Sequence, residues 1–467
     1  MTRPTWVFCL IGLAAAACGD DSGGGATGGA PNQGGGGAGA SATGGTGAGA
    51  SDGGTSLGGS GGVGPMASCA PLAAPMGNTV SVGPSDDVAA AIEAAPAGTT
   101  ILLADGQYDV PEGGYWIRAS GVTLRSASGD PDAVVLDAGY ATVSGGVVNV
   151  ADQSDVTVAE LTIRRGRYHA IHVSATAAPA NGVRIYRVHV IDPGEQGIKI
   201  NNAGQGYYTD AGEVACSTIE LTDAGRAQVM SYDAAGSHCY TGGIDAHGSR
   251  GFHVHHNVVR GFWCSNGDLS EHGIHFWRGS RDTLIEDNLL VDDARGIGLG
   301  LDSTGRTYAD NPCPGVSEAS HYGGVVRDNF IVATRPELFA SPNGMDGGIA
   351  LAYACGATVA HNTIASTEAP FASIEWRFDT TSVELVNNLA MFPMRERDGA
   401  TATQAGNISD APAASFVDLA GFDLHLADNA AARGAGDDAG AALAPTDYDG
   451  DVRPTSAPDV GADESAP

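Results

Sequence analysis

Three imidazoles, a lysine and a carboxylate recur at matching places in this chain. The segments AIHVS, GIKIN, GIDAH, GIHFW, GIGLG, GIALA and SIEWR each begin with a small residue followed by isoleucine. If the isoleucine points inward, a period of two puts the next residue out, the next in and the next out. The first outward column is then His172, Lys199, Asp245, His275, Gly298, Ala350 and Glu375. The second is Ser174, Asn201, His247, Trp277, Gly300, Ala352 and Arg377. On parallel strands about 4.8 Å apart, His172, Lys199, Asp245, His247 and His275 fall within about 15 Å. Such a patch can take a weakly acidic proton from a carbon beside a carboxylate. A histidine near its working pKa serves as base. Lys199 neutralises the carboxylate or, with a lowered pKa, is itself the base. Asp245 orients an imidazole. Beyond this end the columns reduce to glycine and alanine, a smooth floor to a groove.

A stack of strands must hold these columns. VTVAELTI, VRIYRVHV, FHVHHNVV, TLIEDNLL, GVVRDNFI, TVAHNTIA and VELVNNLA each alternate as a short strand. One slot holds Leu161, Val188, Asn257, Asn288, Asn329, Asn362 and Asn388 in turn, the last four steps being 31, 41, 33 and 26 residues. One such unit cannot bury its own apolar face, but stacked units can, as in a solenoid. An asparagine in one slot of successive coils predicts a ladder of side-chain amides. Ser85 is the expected N-cap of a helix whose apolar face is Val88, Ala91, Ile92 and Ala95, covering the open end of the stack. Ala203 to Tyr240 and Asp302 to His321 read as long insertions, which on rigid scaffolds often carry function.

The segment SDDVAAAIEAAPAGTTILLADGQYDV resembles the entry of the pectin-lyase-like right-handed β-helix proteins, and DYDGDVRPTSAPDVGADE resembles a terminal segment of bacterial members. The resemblance spans Ala70 to Glu464. It implies an all-β, single-stranded right-handed parallel β-helix with an N-terminal capping helix, over 67–467. The superfamily includes uronate polysaccharide lyases and mannuronan epimerases, so the chemistry implied is proton abstraction at C5 of a uronate. GGIDAH is similar to the epimerases' Tyr-Gly-x-Asp-Pro-His segment. On that resemblance Asp245 and His247 match the catalytic Asp and His, and Lys199 the lysine of a preceding coil. Gly242 stands in place of the tyrosine and Ala246 of the proline. Tyr207, Tyr208 and Tyr240 are the candidates for the missing donor. The expected catalytic set is Lys199, Asp245, His247 and His275. His172, Asn201, Trp277 and Arg278 are expected to bind substrate, with Trp277 either a sugar platform or a ring packed under a loop. A binding module for a glycan or cell-surface partner, without turnover, is the alternative reading. Adjacent Asp292 and Asp293 leave glycoside hydrolysis as a further one.

The rest of the chain bounds the setting. Residues 1–18 read as an export signal, with Ala-Ala-Ala-Cys resembling a lipobox and Cys18 as the lipidated residue. The Gly/Ala/Ser-rich stretch 19–66 reads as a flexible tether. This predicts a lipid-anchored monomer at the cell envelope, on the outer membrane or cell surface, with a polysaccharide partner. A net charge of −31 argues against nucleic acid. Six cysteines remain after Cys9 and Cys18, an even number suited to disulfides in an exported chain. Cys216 with Cys239 is the expected pair, and Cys264 with Cys313 a second. Asp447, Asp449 and Asp451 have the acid spacing of a calcium loop, making Ca²⁺ the candidate cofactor.

Overall fold

The computed structural model describes residues 69–142, 144–232 and 239–465. These wind into a right-handed parallel β-helix. Residues 1–18, with Cys18, and the tether 19–66 lie outside the described residues. Each coil gives one strand to each of three parallel sheets. One coil runs Arg184–Tyr186, His189–Ile191 and Gln196–Asn202. The next runs Glu213–Ala215, Thr218–Glu220 and Gly242–His247. In the third sheet, Ile171, Ile198, Ile244, Ile274, Ile297, Ile349 and Ile374 stand in register. Each is at most 1% exposed, and burying each such side chain contributes roughly 1.5–3 kcal/mol. That row fixes which neighbours face out.

The segments that alternate like single strands are pairs of strands joined at a corner. VTVAELTI divides into Thr157–Ala159 and Thr162–Arg164, and VRIYRVHV into Arg184–Tyr186 and His189–Ile191. The corner residues Glu160, Arg187, Cys216, His256, Asp287, Asp328, His361 and Asn387 are left-handed, with φ between 51° and 57°. The slot residue follows this bend and points into the helix. The ladder is present. Asn257 Nδ2 donates to Asn288 Oδ1 at 3.0 Å, Asn288 to Asn329 at 2.9 Å, Asn329 to Asn362 at 2.9 Å and Asn362 to Asn388 at 3.0 Å. It runs on to Asn407 at one end. At the other, Ser217 takes the slot, its N–H donating to Asn257 Oδ1 at 3.0 Å.

The cap helix is Val88–Glu93, with Val88 and Ile92 buried. Its N-cap is Asp87, not Ser85: the Asp87 carboxylate accepts from Ala90 N at 3.0 Å. The first insertion is narrower than expected. Glu213–Ala215 and Thr218–Glu220 are ordinary coil strands, and the helix Asp223–Tyr232 follows them.

The expected disulfide pairings do not form. The bonds are Cys69–Cys216, Cys239–Cys264 and Cys313–Cys355. Cys216 is a corner residue, so it faces away from the insertion and toward the N-terminal segment. That segment crosses successive coils outside the solenoid. Leu72 N donates to Glu160, Tyr186 OH donates to Ala70 O at 2.8 Å, and Arg187 donates to Cys69 O. Each of the other two bonds ties an insertion to a neighbouring coil. Three disulfides place the protein in an oxidising compartment.

Candidate functional site

The columns align as the spacing implied. Residues pair His172 with Lys199, Lys199 with Asp245, Asp245 with His275, His275 with Gly298, and His247 with Trp277. Outward, however, is not exposed. The side chains of Lys199 and Asp245 are 7% and 2% accessible, that of His275 0% and that of His247 14%. They pack against one another, Trp277 and Tyr240, so they form a buried polar cluster and not an open face.

Asp245 is its centre. Lys199 Nζ donates to Asp245 Oδ2 and lies 3.2 Å from His247 Nε2. Trp277 Nε1 donates to Asp245 Oδ1 at 2.7 Å. His247 Nε2 is also 3.3 Å from Asp245 Oδ2. A neutral imidazole nitrogen either donates or accepts, so Nε2 serves one of these two partners at a time. Burial raises the cost of the Asp245 charge, but Lys199 and the two imidazoles outweigh it and hold the carboxyl well below its ordinary range. The same partner raises Lys199 against its own desolvation. Burial lowers His247, leaving it a neutral ring at neutral pH, able to take a proton.

Of the three tyrosines, Tyr240 is the one whose ring faces Lys199. It lies 5.9 Å, ring centre to Lys199 Nζ, over the cluster and is 41% exposed. Desolvation and the nearby carboxylates push its phenol up to about 12, so it keeps its proton. Tyr208 instead stacks under Arg306, 3.8 Å from the guanidinium carbon, and Tyr207 is exposed. Sequence reasoning missed Glu195, whose carboxyl burial raises to about 7 beside His169. Its only signal was its place one residue before the strand Gln196–Asn202 that carries Lys199.

The expected substrate-binding residues divide. His172 Nε2 meets Asn201 Oδ1 at 3.1 Å, and both are partly exposed beside the cluster. Trp277 is no open platform. It is 8% exposed, lies parallel to His275 at 5.3 Å and presents an edge to His247 at 4.7 Å. Its indole N–H holds Asp245, a positioning task. Arg278 lies 4.8 Å over the same ring.

The other motifs have structural work. Asp292 accepts from the backbone of Thr334 and Arg335, and Asp293 from Phe262. Asp447 Oδ1 accepts from Asp449 N and Asp451 N at 3.1 and 2.7 Å, and its Oδ2 from Glu464 N at 2.8 Å. The calcium-like spacing therefore closes a turn in which backbone amides take the central carboxylate. His253 and His255 pair with Glu286 and Glu213 at 2.7 and 3.1 Å.

Fold and site together define a parallel β-helix protein with a buried Lys–Asp–His cluster on one sheet. No protein-family model and no curated protein matches the chain. Among solved structures it is similar to pectate lyase Pel9A, at 15% identity over 84% of this chain and 97% of that one, with a TM-score of 0.46. It is similar to an alginate lyase from Paenibacillus sp. str. FPU-7, at 16% identity, coverage of 71% and 99%, and a TM-score of 0.45. PfbA, a surface adhesin of Streptococcus pneumoniae, is 11% identical, with coverage of 69% and 83% and a TM-score of 0.36. These likenesses concern the fold alone.

Proposed function

We propose that the protein acts on a uronate-containing polysaccharide by abstracting the C5 proton. The observation that carries this is the juxtaposition of a neutral His247, a cationic Lys199 and a protonated Tyr240 around Asp245. His247 takes the proton from C5. Charge moves into the C6 carboxylate, where Lys199 stabilises it. With Nε2–H of His247 donating to Asp245 Oδ2, Nδ1 holds the lone pair that takes the proton, and Lys199, which spends one N–H on Asp245, keeps two for substrate. If the C4–O4 bond breaks and Tyr240 protonates O4, the product is an unsaturated uronate. If C5 is reprotonated from the opposite face, the product is its epimer. Trp277 holds Asp245 and His275 stacks on that indole, while His172, Asn201 and Arg278 flank the sugar path.

The test is ultraviolet absorbance of the unsaturated uronate across a polysaccharide panel, with and without Ca²⁺, and proton NMR of the polymer for epimerisation. Either signal, lost in His247→Ala, supports the proposal. New reducing ends without unsaturation would indicate hydrolysis. Binding without any product favours a glycan-binding or cell-surface module, a reading helped by the near-complete burial of Lys199 and Asp245. The proposed location is the cell envelope, through lipid on Cys18. Cys18→Ala should move the protein from the membrane to the soluble fraction.

A further inference from the structure

Next to Asp245, on the following coil, the segment Glu271-His272-Gly273-Ile274-His275 gathers three more ligand-type side chains. One donor atom from each of Glu271, His272 and His275 lies within 4.8 Å of the others. Glu271 Oε2, His272 Nδ1 and His275 Nδ1 are all buried with no hydrogen-bond partner. An orphaned buried polar atom costs about 1–3 kcal/mol, so three in one place call for a missing partner.

The tautomer of His275 sharpens the point. Its Nε2 lies 3.2 Å from Gly300 O. A carbonyl only accepts, so Nε2 carries the hydrogen, and Nδ1 of the neutral ring presents a lone pair. That lone pair faces Glu271 Oε2 at 3.3 Å and Asp245 Oδ1 at 3.7 Å. With the ring neutral, acceptor faces acceptor, and a cation, either a proton on Nδ1 or a metal ion, must stand between them. A carbonyl holding the far nitrogen is the usual outer support of a metal-bound histidine. The site is also shaped. A Cβ on Gly298 would sit 2.8 Å from the His272 ring atoms. The glycine in the column makes room for that imidazole.

We propose that Glu271, His272 and His275 bind one divalent transition-metal ion of the zinc class. Two imidazoles and one carboxylate suit zinc and its neighbours, whereas calcium takes oxygen ligands. At metal–ligand distances near 2.1 Å, tetrahedral ligand atoms stand about 3.4 Å apart. The Glu271–His275 contact already matches, and a His272 donor lies within 4.8 Å of both. Three protein ligands leave a coordination position open. The second histidine–carboxylate cluster, His425 with Asp449 and Asp463, needs no metal. His425 engages Asp423 at 2.5 Å and Asp449 at 2.7 Å through its two nitrogens.

The test needs no substrate. Protein freed of metal by chelation is titrated with Zn²⁺ against a chromophoric competitor. Binding of one equivalent is expected, weakened by about 100-fold or more in Glu271→Gln, His272→Gln and His275→Asn. His425→Gln and His255→Gln should bind as the parent does. Circular dichroism in metal-free buffer verifies that each variant folds. Should a ligand variant fail to fold, the absorption spectrum of the Co²⁺-loaded parent decides, a visible band of low-symmetry nitrogen and oxygen ligation being expected. No stoichiometric binding, a Co²⁺ spectrum like that of the aqueous ion, or binding that survives all three ligand variants would overturn the proposal.

Discussion

The Lys199–Asp245 pair sets the sharpest energetic expectation. Both side chains are nearly inaccessible, so Lys199→Met strands an anion and Asp245→Asn strands a cation. Removing one partner of a buried pair costs about 3–5 kcal/mol. With about 2.1 cal/mol/K of unfolding entropy per residue over roughly 400 folded residues, 4 kcal/mol lowers Tm by about 5 °C. The double variant leaves no unpaired charge. It should lose less than the two singles summed, by about 2 kcal/mol, with a residue of loss because Trp277 Nε1–H keeps a weaker acceptor. The assay is thermal unfolding of all four proteins followed by Trp fluorescence. The pH dependence has a definite sign. The depressed Asp245 contributes stability above the unfolded carboxylate pKa, lost as pH falls through its folded value. The raised Lys199 contributes below its unfolded pKa, lost as pH rises through its folded value. The stabilisation should therefore be flat between about pH 4 and 10. Single variants within 1 °C of the parent, or additive losses in the double variant, would refute a coupled buried pair.

Tyr240→Phe should reduce turnover at least about 100-fold with little change in Tm, because the phenol is the proposed proton donor and is partly exposed; normal turnover in this variant removes Tyr240 from the chemistry. The acid limb of the rate profile should fall below pH 6.5, since His247 is lowered by burial, and a limb well above 6.5 would mean that another group is the base. Folding stability should fall as pH drops from 6.5 toward 3, because His321 and His361 are both held neutral, with pKa values lowered to about 3, while the unfolded chain takes up protons; a His321→Gln variant should flatten that slope in urea titrations. Asn329→Ala should cost about 1–3 kcal/mol, because it takes the side-chain acceptor from buried Asn288 N and a donor from Ile285 O, while Asn288 Nδ2 keeps Val254 O and Glu286 O, and a urea midpoint unchanged from the parent would contradict the ladder.

Much of this was legible in the chain. Isoleucine one place before Lys199 and before Asp245, and three before His247, fixes the face of each strand, because a one-residue slip would expose the whole row. The columns therefore stood in register on period two alone. The asparagine ladder followed from a repeated residue type in a buried slot. What the sequence could not supply was everything decided by the insertions. Whether an outward residue meets water depends on which segment lies over it, and the strands do not encode that. Lys199, Asp245 and Trp277 consequently became buried structure as well as candidate chemistry. Tyr240 reached Lys199 across 41 residues of chain, a contact that no local spacing announces. Cys216 joined Cys69 instead of Cys239 because a left-handed corner turned its side chain toward the N-terminal segment. Local period and repeat determine which residues share a column, through backbone geometry that every coil obeys. Burial, pairing and protonation within a column belong to long-range packing, which the tertiary structure alone decides.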